Sequence, residues 1–278
     1  MRATLLPVVV SAVLGLSHVV VVATPAPQAE RPAGQVGESA PSSSPKVWLG
    51  RNAEFEECLK TALVEREKET PIGVTRPRQI FFKPGGVCAR ALFSAQRTSR
   101  NSGYLESYLS RIAAYELDRI LGLDMVPPTV ERVHGGEKGA AQLWVENAVY
   151  LKDLEGQQAP DPVDWNRQVR RWRMFDALIA EIDRNAGNLL VLRDPKWHLV
   201  LIDHSRAFTS STKLVYPVER IDREMFARLK ALTKQELDAR IGMLVLDGSQ
   251  SLLRRRDALV ERFEKLAKEK GESAVFLP

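Results

Sequence analysis

The chain has 278 residues, a formal charge of +5 and two cysteines. A balance that mildly basic suits anionic small partners and falls short of a nucleic-acid footprint, and two cysteines without Cys-x-x-Cys or Cys-His spacing supply no zinc site. Residues 47–278 are enough to bury a core as one large domain or two lobes, and no internal repeat is evident.

Residues 3–23, ATLLPVVVSAVLGLSHVVVVA, follow Arg2 and contain no Asp, Glu, Lys or Arg, so residues 1–23 read as a secretory signal ending near Ala23. The run is also long enough for an uncleaved membrane anchor, a reading weakened by Pro7, Ser11 and Ser17. Either reading exports the rest of the chain. Residues 24–46 are rich in Pro, Ala, Ser and Gly without an apolar period, which predicts a disordered linker.

Phe55, Leu59, Ala62 and Leu63 recur at helical spacing and predict a helix over 52–68 with Asn52 as its cap. Residues 78–93, RQIFFKPGGVCARALF, predict a β-hairpin turning at Pro84-Gly85-Gly86. Its two glycines, with Lys83 beside them, are candidates to approach phosphates through backbone N–H groups; the bland alternative is an ordinary turn. Whether Cys58 and Cys88 pair in an oxidising compartment stays open, since pairing depends on geometry.

Residues 104–123 predict an amphipathic helix carrying Leu105, Tyr108, Ile112, Tyr115, Leu117 and Ile120, stopped at Gly122. Residues 141–154 open with an apolar strand. Residues 164–182 predict a helix capped by Asp164. Its Arg167, Arg170, Arg171 and Arg173 form either an acidic-acceptor patch or, the favoured reading, a solvated face whose stems cover Trp165 and Trp172.

The apolar runs 189–192 and 198–202 flank Arg193-Asp194-Pro195-Lys196, a turn signal, and predict a second hairpin. An antiparallel hairpin brings the residue entering one strand beside the residue leaving the other, here Asn188 and Asp203, with Asp183 in the preceding loop. Two carboxylates and an amide are oxygen donors suited to a hard divalent cation, with one carboxylate left as a base. The bland alternative is turn chemistry at 183–188 and a strand-end cap at Asp203. Helices are predicted at 219–232, 234–246 and 249–270, and the LLRRR run at 252–256 offers no chemistry of its own. His204 stands next to Asp203 and is placed to touch a metal there, but no hydrolytic triad and no P-loop is present.

Asp183-Arg184 with Asn188, followed by Leu201-Ile202-Asp203-His204-Ser205-Arg206-Ala207-Phe208, resembles the catalytic core of the atypical kinases that include HipA-like proteins, phosphatidylinositol kinases and secretory-pathway kinases of the Golgi casein kinase type. In those families a D-R-x-x-x-N segment precedes a hairpin and an L-I-D-N-G-R-A-F-like run. Ile112-Ala113-Ala114, Leu117-Asp118-Arg119-Ile120-Leu121 and Val126 to Val130 resemble their regulatory helix and the strand after it.

The resemblance implies a two-lobed α+β kinase-like fold, with an N-lobe over 47–147 and a mainly helical C-lobe over 148–278. It implies ATP and magnesium or manganese as cofactors and a hydroxyl of a protein, sugar or small molecule as acceptor. Asp183 would be catalytic, and Asn188 and Asp203 would hold metal. Residues 144–147, including Glu146, would meet the adenine. Two positions depart from the families: Arg111 replaces the glutamate before I-A-A, and Ser94 replaces the lysine after an A-L-F-like strand end. Either Arg111, or less directly Lys83, takes over the phosphate-neutralising role, or the chain is a pseudokinase or nucleotide-binding scaffold.

Overall fold

The computed structural model describes residues 44–70, 77–101, 104–193 and 195–277; the signal segment, the linker up to residue 43 and the hairpin-turn residue Asp194 lie outside them. Among the described residues no helix is long and apolar enough to cross a membrane. Residues 44–46, at the end of the expected linker, are described. Lys46 is buried and its ammonium donates to the Asp124 carbonyl at 2.6 Å, while Trp48 enters the core.

Helix α1 (Asn52–Thr61) is half the length that its apolar spacing predicts. Its chain turns extended at Ala62, and Val64–Glu69 form strand β1 instead of continuing the helix. Glu, Arg and Lys favour helix locally, but pairing with β2 (Arg78–Phe82) supplies backbone partners that override the preference. The same charges suit an outer strand, because charged side chains discourage a further strand from adding. Strand β3 (Arg90–Ser94) follows, then a short pair, β4 (Ser99–Asn101) and β5 (Tyr104–Glu106).

Helix α2 (Tyr108–Leu121) is therefore shorter at its start than the expected 104–123, because Glu106 is in extended chain and the Ser107 hydroxyl caps the helix by accepting from the Leu109 N–H. Gly122, at φ 57°, ends it in the left-handed conformation that glycine adopts at least cost. The buried Asp118 carboxylate accepts from the N–H groups of Met125 and Val126 at 2.9 and 3.1 Å, which sets the entry to β6 (Thr129–His134). Burial pushes the Asp118 carboxyl up to about 7 against the pull of those N–H donors and of Lys46.

With β7 (Glu137–Leu143), these strands form one antiparallel sheet in the order β1-β2-β3-β7-β6. Its two faces have different tasks. Ile80, Ala91, Phe93, Val130 and Ala141 pack with Phe55 and Leu59 of α1, whereas Ala140 packs with Tyr108 and Ile112 of α2. Ser94 pairs with Ala140 and hence faces α2. Gly139 is required beside it: a Cβ there would stand 2.4 Å from the Ser94 carbonyl oxygen.

Strand β8 (Val149–Tyr150) joins β9 (Leu189–Leu192) and β10 (His198–Leu201), the predicted second hairpin, in register Leu201 with Leu189. Helix α3 (Pro162–Ile179) leads into it, capped by Asp161 rather than Asp164, with Pro162 at the first helical position. Its basic residues are partly structural. Arg171 forks onto Asp222 at 2.8 and 2.7 Å, and Arg173 lies over Trp172.

Helices α4 (Arg223–Ala231), α5 (Lys234–Ile241) and α6 (Gln250–Lys270) complete the C-terminal part with a single core around Phe175, Leu178, Leu229 and Leu259. The arginine run in α6 does have a task. Arg255 is buried and donates to the carbonyls of Leu178, Thr209 and Ser211, tying α3 to the chain beyond Phe208, and burial lowers its pKa to about 10.

Cys58 of α1 and Cys88, after β2, form a disulfide across a sequence separation of 30. By loop-closure entropy such a cross-link contributes about 3–4 kcal/mol. Urea unfolding of the protein with and without reductant, or of the Cys58→Ala/Cys88→Ala pair, is expected to show a loss of that size. Coincident unfolding curves would show that the bond stores no stability.

Candidate active site

The site begins where α3 stops. Ala180, at φ 52°, takes a left-handed conformation that costs a residue with a Cβ about 1–2 kcal/mol, and Phe208 does the same at φ 60°. The Phe208 N–H donates to the Ile179 carbonyl at 2.6 Å, so the two bends close on one another. The loop between α3 and β9 is thereby held on the core rather than left to solvent.

Arg184 organises this loop. Its Nε and Nη2 fork onto the buried Asp176 carboxylate at 2.8 and 2.9 Å, and its Nη1 donates to the carbonyls of Asn188 at 3.0 Å and Ile202 at 2.7 Å. Burial opposes the Arg184 charge, but Asp176 outweighs it and raises the pKa. One guanidinium thus ties both ends of the hairpin, and with the bond from the Ile202 N–H to the Asn188 carbonyl it places Asn188 beside Asp203. Asn188 Nδ2 donates to the Asp183 carbonyl at 3.1 Å, which brings in the third expected residue.

A second pair of arginines faces these carboxylates. Arg111 of α2 donates from Nη2 to Asp203 Oδ1 at 2.6 Å, and its side chain is only 4 % exposed. The Ser205 hydroxyl donates to the same oxygen at 3.0 Å. Asp203 itself sits at φ 59° and opens 40 % of its side chain. Burial of its carboxyl is offset by Arg111 and Ser205, which hold it below the ordinary carboxylate range. Arg206 bridges two acids, with Nε to Glu106 at 2.7 Å and Nη1 to Asp183 at 3.0 Å.

All these side chains line one cavity of about 680 Å³ together with Asn188. Leu92, Leu143, Val145, Ala148, Leu190 and Ile202 give it an apolar part, and Gln142, Lys152 and Asn185 add polar groups to the lining. The N-terminus of α2 is anchored to the opposite wall, because the Ser107 N–H donates to the Ser205 carbonyl at 2.9 Å and the Ser110 hydroxyl to that of Ala207 at 3.3 Å. A slot with an apolar end and a charged end of both signs can take a flat ring at one end and an anion at the other.

The structure brings Asp183, Asn188, Asp203 and Arg111 to that cavity and leaves the other expected ligands outside its lining. Lys83, Gly85 and Gly86 are exposed in the turn between β2 and β3. That turn is held towards α1, since Cys88 is bonded to Cys58 and a Cβ on Gly86 would stand 3.3 Å from the Cys58 sulfur. Glu146 turns to Arg90, which forks onto it at 2.7 and 2.5 Å, while its neighbours Trp144 and Val145 line the cavity. His204 does not reach the site: its buried ring packs edge-on against Phe175.

Two functional candidates escape sequence reasoning. Glu106 reads as a solvated helix charge like Glu116, yet only Glu116 behaves so, pairing with Arg240, while Glu106 is 2 % exposed and bonded to Arg206. Glu181 is the second; its Oε1 accepts from the Asp183 N–H at 2.8 Å. Among the described residues no three His, Cys, Asp or Glu side chains converge as a metal cluster.

No family model matches the chain. A phosphatidylinositol 4-kinase gamma 4 from Oryza sativa is 29 % identical over 153 residues, which span 49 % of this chain and 25 % of that protein. The structure of hydra Fam20 with sugar superposes with a TM-score of 0.63 at 16 % identity, covering 81 % of this chain and 91 % of that one. The chain has a Fam20-like atypical kinase fold. Golgi casein kinase with Mn and ADP bound gives a TM-score of 0.61 at 14 % identity, covering 81 % of this chain and 78 % of that one. In this kinase fold the five-stranded sheet with α1 and α2 is the N-lobe, and α3 to α6 with the β9–β10 hairpin make the helical C-lobe.

Burial pushes the Glu181 carboxyl up to about 8, partly countered by Arg184 and reinforced by Asp176. The folded chain therefore keeps this proton well above the ~4.3 at which an unfolded glutamate releases it. The unfolded state binds fewer protons in that window, so stability falls as pH rises through it. Glu181→Gln lacks this loss. The gap between the melting temperatures of variant and wild type is expected to widen in favour of the variant from about pH 5 to about pH 8 and then to level off; parallel profiles would show that Glu181 ionises normally.

Proposed function

We propose that the chain is an ATP- and divalent-metal-dependent phosphotransferase acting on a hydroxyl group. The observation that carries this reading is the convergence of Asp183, Asn188 and Asp203 at the charged end of the cavity, with the Arg111 guanidinium directed onto Asp203. The apolar end, between Leu92 and Leu143 of the sheet and Leu190 and Ile202 of the hairpin, fits an adenine ring. Trp144 and Val145 edge this slot.

The donor set fits a hard cation. Asp203 is ionised, and the Asn188 amide, fixed through its nitrogen to the Asp183 carbonyl, has its oxygen left for a metal. Magnesium or manganese held there would neutralise phosphate charge, leaving water and phosphate oxygens to complete its shell. Asp183 orients the acceptor hydroxyl and takes its proton, and Arg206 fixes that carboxylate from the side of Glu106. Protein, sugar and small-molecule hydroxyls all remain acceptors. The signal-like N-terminus and the disulfide support an exported enzyme.

A second reading, a nucleotide-binding scaffold without catalysis, is favoured by Ser94. Its hydroxyl is buried without a hydrogen-bond partner among the described residues, at the position where the resemblance implies a lysine. Turnover separates the two. With ATP and manganese, the wild type is expected to transfer or release the γ-phosphate. Asp183→Asn and Asp203→Asn, both isosteric, are expected to lose about 10²–10³ of that rate while retaining native circular dichroism. Saturable ATP binding with no turnover in the wild type would establish the scaffold instead.

A further inference from the structure

Arg111 is incompletely satisfied. Nη2 is taken by Asp203, but Nε and Nη1 are buried and have no hydrogen-bond partner among the described residues, although the side chain lines the cavity. Buried N–H donors left unpaired are costly, more so on a charged group. Two spare donors on a guanidinium whose side chain lines the cavity are what an oxyanion bound beside it would satisfy. Asp203, meanwhile, already spends one oxygen on Arg111 and Ser205.

These two facts oppose one another when a bare cation arrives. A divalent ion at Asp203 would have to share the carboxylate with a guanidinium 2.6 Å from its oxygen, and like charges at that range repel strongly in a partly desolvated site. A phosphate group removes the conflict, because its oxygens take up the unpaired Arg111 donors and place negative charge between the two cations.

We propose that Arg111 makes cation binding at Asp203 conditional on a bound phosphate group: the guanidinium excludes the free metal ion and yields to it once a di- or triphosphate has engaged Arg111. Nucleotide then binds first, without metal, and the metal follows. The proposal rests on reading the cavity as a nucleotide site. Linkage requires the coupling to be reciprocal, so metal strengthens nucleotide binding by the same factor by which nucleotide strengthens metal binding.

Manganese binding followed by electron paramagnetic resonance, and ADP binding by calorimetry, test this on the full chain without turnover. Arg111→Met is expected to bind manganese alone about tenfold or more tightly than the wild type, and to bind ADP without metal about tenfold or more weakly, within the usual range of coupling between sites. Asp203→Asn covers the case in which Arg111→Met does not fold. It is expected to bind no manganese and, with its guanidinium released, to bind metal-free ADP more tightly than the wild type. Equal manganese affinity in wild type and Arg111→Met, or metal-free ADP affinity in Asp203→Asn no higher than in the wild type, overturns the coupling. ADP that binds none of the three proteins, with or without manganese, overturns the nucleotide reading, and the manganese gain in Arg111→Met still decides whether Arg111 guards Asp203.

Discussion

The buried pair of Arg184 and Asp176 is the interaction on which the site depends. Asp176 belongs to the last turns of α3, in the core of the C-lobe, while the other arm of Arg184 reaches the carbonyls of Asn188 and Ile202. A rigid helix therefore fixes the open end of a hairpin through one planar side chain. A pair so buried contributes little net stability by itself, since its attraction repays desolvation, but removing one partner strands the other and costs about 3–5 kcal/mol. Its value lies in geometry. Asn188 and Asp203 are brought together by backbone carbonyls that only a five-donor guanidinium can gather at once.

A second layer of arginines sits on this foundation, and its charges come from far along the chain. Arg206 joins Glu106, 100 residues away, to Asp183, and Arg111 joins α2 to Asp203 across 92 residues. Each carboxylate on the cavity wall meets an arginine: Glu106 and Asp183 meet Arg206, and Asp203 meets Arg111. Such pairing orients the carboxylates in a partly desolvated cleft. It also clamps α2 to the loop after β10, reinforced by the backbone bond from Ser107 to Ser205.

The parts legible in the sequence are those fixed by local periodicity. The hairpin at 189–201 has two short apolar runs and a turn signal between them, so the grouping of Asn188 with Asp203 follows from antiparallel geometry alone. The helices at 108–121, 162–179 and 250–270 carry clear apolar faces. What stays hidden is set by distant partners. Val64–Glu69 has the composition of a helix and becomes a strand because β2 offers hydrogen bonds. Glu106 has the look of a surface charge and becomes a buried wall of the cavity because Arg206 meets it. The Pro84-Gly85-Gly86 turn has the composition of a phosphate loop and stands off the cavity because a disulfide holds it towards α1, a pairing that spacing could not decide.

The departures at positions 94 and 111 are best understood as one change. Ser94 faces α2 across from Ala140, on the side of the sheet against which Tyr108 and Ile112 pack. A lysine there would send an ammonium towards the same helix face that carries Arg111. Two cations would then compete for Asp203 in a pocket where Arg111 has already lost nearly all contact with solvent. Ser94 puts no charge on that face. The cost is visible in the Ser94 hydroxyl, which is buried and unpaired. The gain is a guanidinium with two donors in reserve, mounted on a helix whose N-terminus is already bonded to the loop after β10. The positive charge carried by the helix is thereby tied directly to Asp203.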